Sequence, residues 1–206
     1  MMSPVVRILL IANGVMFLVS MYFADTLIPW LALWPMQLHA VPGIEALPSF
    51  APYQLLTYAF LHGGVLHLVL NMYALWLFGS RMEYVWGSRN FAIYYFVCVV
   101  GAGLVQLFVA THGVGQGEYY PTVGASGGVF GLLLAFGVTF PNERLMLIFP
   151  PVAMKAKWFV ILYGALELWA GFSGTFAGIA HFAHLGGMLF GFLLIWYWKK
   201  RPPSRR

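Results

Sequence analysis

Lysine and arginine occupy only alternate connections between six apolar runs, and this restricts the fold more than any other property of the chain. The runs lie at about residues 5–24, 64–79, 91–111, 123–140, 158–171 and 179–198. Arg7 opens the first run. Arg81 and Arg89 lie between the second and third. Arg144, Lys155 and Lys157 lie between the fourth and fifth, and Lys199, Lys200, Arg201, Arg205 and Arg206 follow the sixth. The connections at about 25–62, 112–122 and 172–178 carry neither residue. Because Lys and Arg favour cytoplasmic loops, six spans with both termini cytoplasmic are expected. Within hydrocarbon each backbone polar group must be satisfied inside its own segment, so the spans should be helices. The expected fold is an all-α bundle of six transmembrane helices. A span takes about 20 residues, and the second and fifth runs are short by that measure.

Composition agrees. Of 206 residues, 61% are hydrophobic and 8% charged, against roughly a quarter charged in soluble domains. This is an integral membrane protein. The first run lacks a small-residue cleavage site and is long enough to span, so it reads as a retained helix rather than a signal peptide. Residues 1–206 read as one membrane domain with a basic tail at 199–206. In this setting the tail is a topology signal and does not indicate nucleic-acid binding. The single cysteine, Cys98, excludes an intrachain disulfide and a cysteine-cluster metal site. The long first outer connection is aromatic and proline-rich, with Trp30, Trp34, Pro29, Pro35, Pro42, Pro48 and Pro52. It is expected to be partly embedded at the interface.

Polar groups inside an apolar run are costly and are functional hypotheses by default. Ser126 stands at the head of the fourth run, in Gly124-Ala125-Ser126-Gly127-Gly128-Val129-Phe130-Gly131. His184 heads the sixth, in Ala183-His184-Leu185-Gly186-Gly187. Both runs enter from the outer side, so the two residues fall at one depth, on the order of 5–10 Å in at 1.5 Å per residue. A serine becomes a nucleophile when a base takes its proton, and histidine is a natural base. Free N–H groups at a helix start can stabilise an oxyanion. Gly127 and Gly131 in one run, and Gly187 and Gly191 in the other, give faces for close helix approach. Taken alone, Ser126 could instead be a helix cap or a packing residue, and His181 is a second candidate base.

His67 and Asn71 lie four apart in the second run, hence on one helix face. Both can donate to a developing oxyanion, or else hydrogen-bond between helices. His62, His67, His181 and His184 could ligate zinc. There is no His-Glu-x-x-His, however, and Asp25, Glu45 and Glu118 fall in outer connections, so no metal and no cofactor is expected. With so few carboxylates a Ser–His dyad is expected rather than a triad. Glu167, inside the fifth run, is the one other orienting candidate besides Asp25.

Three motifs, in order, resemble the rhomboid intramembrane serine proteases over residues 52–191. They are His62-Gly63-Gly64-Val65-Leu66-His67-Leu68-Val69-Leu70-Asn71, then Gly124-Ala125-Ser126-Gly127, then Ala183-His184-Leu185-Gly186-Gly187 with Gly191. Arg81 and Glu83 are similar to a structural turn of that family. Phe130 stands where many members have tyrosine, and Tyr53-Gln54 where Trp-Arg is common. The resemblance implies an endopeptidase cleaving transmembrane segments of protein substrates near the outer face of the bilayer. It implies Ser126 as nucleophile, His184 as base, and Asn71, His67 and the Ser126 N–H as oxyanion donors. With no domain before the first run and no seventh span, it implies the basic bacterial form and a bacterial inner membrane. Two rival classes are an inactive binding or escort relative and a small transporter. The first would lack Ser126 or His184, and both are present. The second would show internal repeats, and none is visible.

Overall fold

The computed structural model describes residues 3–36, 48–146, 151–174 and 180–203. Pro42, Glu45, the start of the sixth run at 179, and Arg205 and Arg206 lie outside the described residues. The chain runs through α1 (Pro4–Leu31) and the short α2 (Gln54–Thr57), which continues as a 3-10 turn, Tyr58–Phe60. There follow α3 (Val65–Ala74), α4 (Ser80–Trp86), α5 (Ser88–Val114), α6 (Ser126–Thr139), α7 (Ala156–Ser173) and α8 (His181–Lys200). A π-helical turn, Leu75–Gly79, joins α3 to α4. Between α6 and α7 a hairpin pairs β1 (Arg144–Met146) with β2 (Ala153–Lys155), Arg144 opposite Lys155. The expected all-α fold includes no strand in this cationic connection, so the hairpin is a departure from it.

The protein is a mostly helical membrane protein. Helices α1 and α5 are each long and apolar enough to cross a bilayer. The segments Gln54–Phe60 and Val65–Trp86 pass that test together but are bent by 102°. Helix α6 is apolar but only 14 residues long. Helices α7 and α8 interrupt their apolar runs with Lys157 and Glu167, and with His181 and His184.

Pro4 opens α1, where its missing N–H leaves no gap in the helical ladder. The next amides meet a buried carboxylate. Val5 and Val6 N–H donate to the two oxygens of Glu83 at 3.0 and 2.9 Å, and Ser88 Oγ donates to one of them at 2.6 Å. Glu83 is 2% exposed. A negative group suits this end of a helix dipole. The family-like turn residue therefore works as a cap supplied by α4 to α1.

Helix α5 is the centre. Phe91, Tyr94, Tyr95, Cys98, Val99 and Ala102 are all buried, as expected of a helix that is apolar all round. Its main neighbours are α8 and α6, which also pack on each other. The α6–α8 approach depends on glycine: a side-chain carbon at Gly187 would fall on the Gly127 carbonyl. Small residues let membrane helices come this close. Tyr94 ties the three helices together. Its hydroxyl donates to the Gly131 carbonyl at 2.8 Å and fills the space a side chain at Gly191 would need.

The connection between α1 and α3 is braced by Gln54, which is 1% exposed. Its Oε1 accepts from Trp34 N–H and Ala51 N–H, both at 3.2 Å, and its Nε2 donates to the Trp30 carbonyl at 3.2 Å. Trp34 stacks on Tyr119, with ring centroids 5.7 Å apart. Leu33 bridges to Thr122 in antiparallel fashion, which connects this loop to the strand-like approach to α6.

Candidate active site

Ser126 is the first residue of α6, rather than a few residues in, and His184 is in the first turn of α8. The chain is led into α6 through Gly124, whose N–H donates to the Tyr58 carbonyl at 2.9 Å. Gly124 has φ +130°, a conformation that side chains rarely adopt. A Cβ there would also stand 2.8 Å from Cε1 of His67. Glycine is thus required on both grounds. Beyond it, the first helical bond to accept is Ala125 C=O, from Val129 N–H at 3.1 Å. The N–H groups of Ser126, Gly127 and Gly128 precede that bond, and the N-cap residue, Ala125, offers no side chain to cap them. They form a ready anion-facing end.

Ser126 Oγ and His184 Nε2 are 2.8 Å apart. Phe130, one turn further along α6, stacks flat on the His184 ring at 4.1 Å between centroids and 5° between planes. The ring is thereby held on one face by an aromatic side chain and at one edge by the serine. His184 is 7% exposed.

His67 reaches the same place from α3. The point where a Gly124 Cβ would stand is 2.9 Å from His67 Nε2 and 3.7 Å from Ser126 Oγ. His67 Nδ1 accepts the Gly63 N–H at 3.4 Å. That leaves the neutral ring's proton on Nε2, the atom turned toward Gly124 and Ser126. Asn71 is 5% exposed and donates one N–H to the His67 carbonyl at 2.9 Å. One amide hydrogen remains for another acceptor. His62 packs edge-on to His67 with ring centroids 5.1 Å apart. Burial, and after it the nearby His67, hold the His62 imidazole down to about 4, so it is neutral at physiological pH. Gly127, Gly187 and Gly191 lie in the α5–α6–α8 contacts described above.

Glu167, an orienting candidate in the sequence, stands beside both His181 and His184, where a dyad without a carboxylate is expected. Its Oε2 is 2.7 Å from His181 Nδ1 and 2.9 Å from His184 Nδ1. The first contact is a hydrogen bond. The second is at ion-pair distance without hydrogen-bond alignment. Sequence spacing hides this group, because Glu167 is on α7 and the histidines are on the next helix. Two consecutive helices packed together bring such residues face to face. Ligand atoms of Glu167, His181 and His184 all lie within 4.8 Å of one another. His62 and His67 are not part of that cluster, so the four histidines weighed as zinc ligands do not converge as a set.

A serine hydroxyl, an imidazole nitrogen and the N–H groups of a helix start therefore meet at the heads of α6 and α8, beside a second imidazole from α3. Residues 49–201 match the family profile described as Rhomboid domain. The chain is 35% identical to the human protein named "Presenilin-associated rhomboid-like protein, mitochondrial" over 160 residues, 70% of this chain and 38% of that protein. It is 33% identical to "Rhomboid protein 1, mitochondrial" of Saccharomyces cerevisiae over 152 residues, 72% of this chain and 42% of that one. "Rhomboid-like protein 11, chloroplastic" of Arabidopsis thaliana is 29% identical over 222 aligned residues, covering 94% of this chain and 68% of that protein. The chain thus spans about two fifths of the length of the mitochondrial relatives. The mitochondrial and chloroplastic names of these relatives lend no support to the expected bacterial inner membrane. With the family profile covering residues 49–201 and these identities, the chain belongs to the rhomboid family.

Proposed function

We propose that this protein is an intramembrane serine endopeptidase that cleaves transmembrane segments of membrane-protein substrates near the outer face of the bilayer. The observation that carries the reading is the 2.8 Å contact between Ser126 Oγ and His184 Nε2, made at the heads of two apolar helices. In the proposed reaction Oγ attacks the scissile carbonyl while its proton passes to Nε2. The oxyanion of the tetrahedral intermediate takes hydrogen bonds from the N–H of Ser126, from His67 Nε2 and from the remaining Asn71 amide hydrogen. Collapse breaks the C–N bond, and the imidazolium returns the proton to the leaving amine. Water, activated by the same nitrogen, then hydrolyses the acyl-enzyme and restores the serine. Donors aimed at the developing charge in a water-poor site are worth about 10²–10³ each in rate.

The placement of charge supports six spans with both ends on the side rich in Lys and Arg, and a site opening toward the other side. The hairpin bearing Arg144 and Lys155 and the tail of α8 would share the cationic side. The single-span substrate would approach laterally from lipid. The organellar names of the relatives favour no bacterial assignment.

The direct test is purified protein in liposomes with a single-span model substrate. Wild type should cleave it, and Ser126→Ala and His184→Ala should each abolish cleavage. Cleavage by Ser126→Ala at the wild-type rate would rule the mechanism out.

A further inference from the structure

The dyad uses one nitrogen of His184 and leaves the other facing Glu167. That carboxylate is a costly group to keep within an apolar helix, where a packing role would be served by leucine or glutamine. Its Oε2 is shared by two imidazoles, at 2.7 Å from His181 Nδ1 and 2.9 Å from His184 Nδ1. From the geometry we infer that Glu167 is the positioning residue of the catalytic base, held in place by His181. This rests on the protease reading and extends it from a dyad to a Ser126–His184–Glu167 relay of contacts.

The physical argument has two parts. A neutral imidazole can carry its proton on either nitrogen. The carboxylate beside Nδ1 favours the tautomer with hydrogen there, which leaves Nε2 as the acceptor facing the serine hydroxyl. When Nε2 takes the serine proton, the ring becomes a cation, and an anion 2.9 Å away stabilises it without itself accepting the proton. This second effect depends on distance more than on angle. The imperfect alignment of the Nδ1 contact is of the kind that tightens when substrate is bound. His181 contributes by fixing the carboxylate. Its hydrogen bond comes from the first residue of α8, so the base and the clamp on its partner belong to one helix. Phe130 stacked on the other side of His184 leaves the ring little freedom to turn away.

A competing use of the same three groups is a metal site, since their ligand atoms converge within 4.8 Å. A metal on His184 Nδ1 would replace the proton and the carboxylate contact on which the inference relies. The two uses give opposite results with chelator.

The experiment compares wild type, Ser126→Ala and Glu167→Gln in liposomes with the single-span substrate, with EDTA present throughout and a parallel wild-type series without it. Glutamine keeps the size and removes the charge. Its expected effect is a fall in kcat of about 10²- to 10⁴-fold, with KM within about twofold. The rate at which a fluorophosphonate inactivates the enzyme should fall in parallel, because that probe reads the activation of Ser126 without substrate binding. A merely structural glutamate would change KM or thermal stability and leave probe reactivity per folded molecule intact. The inference alone is overturned if Glu167→Gln keeps kcat and probe reactivity within about threefold of an active wild type. It is also overturned if EDTA abolishes wild-type cleavage and zinc restores it. If Ser126→Ala cleaves as well as wild type, the protease reading fails first and takes this inference with it.

Discussion

Phe130 lies flat on His184, in the position where many rhomboids carry tyrosine. The stack needs a ring and does not need the hydroxyl. Replacing it by alanine should cost the 0.5–1.5 kcal/mol typical of an aromatic pair, roughly a 2- to 10-fold loss in kcat. Phe130→Tyr should stay within about twofold. Steady-state kinetics on the single-span substrate would check both, and a Phe130→Ala enzyme with undiminished kcat would remove the stack from the account. At this scale the sequence was informative about identity and poor about direction. Ser126, His184 and His67 could be picked out because polar groups in apolar runs are expensive. What the sequence does not show is how a side chain divides its bonds. Half of the Asn71 amide is committed to the His67 carbonyl, a contact within one helix turn that no motif encodes. Glu167 was visible as an isolated carboxylate, but its partners lie on another helix.

Between elements, the bundle depends on two contacts of different kinds. One is the bare crossing of α6 and α8 at Gly127 and Gly187. Gly187→Val would press a side chain into backbone that has no rotamer to adopt. It should destabilise by at least the 1–3 kcal/mol typical of overpacking and pull Ser126 away from His184. Thermal unfolding in detergent together with fluorophosphonate labelling would report both losses. The other is the Glu83 cap on α1. Glu83→Ala strands the Val5 and Val6 amides and should lower stability by about 1.5–3 kcal/mol, the range for hydrogen bonds to a charged group. Unfolding by detergent titration would show it, while probe reactivity per folded molecule should survive, since Glu83 caps α1 and makes no contact with the dyad. Helix positions were largely legible from apolar runs, because lipid and core both select apolar residues. Their ends were not. The run read as 5–24 extends to Leu31, and the run read as 64–79 continues through a π-turn to Trp86. Helix ends are decided by capping partners such as Glu83, and those come from elsewhere in the chain.

For the whole molecule, the alternation of Lys and Arg predicts that the 112–122 connection and the β1–β2 hairpin face opposite sides of the bilayer. Cys98 is fully buried, so a single added cysteine can report sidedness over a low background. In sealed vesicles of known orientation, Gln116→Cys should react with an impermeant maleimide from one side. Asn142→Cys should react only from the other. Labelling of both from one side would refute the six-span arrangement. The two-stranded hairpin and the braced first connection were not legible, since each depends on pairing between segments that are individually unremarkable. The central claim is that Ser126 is a nucleophile activated by His184 inside this bundle. The measurement closest to it is the site of covalent attachment of a fluorophosphonate to the intact membrane protein, mapped by mass spectrometry. The account predicts an adduct on Ser126 that disappears in His184→Ala. An adduct on another residue, or one on Ser126 that forms equally fast without His184, would contradict it.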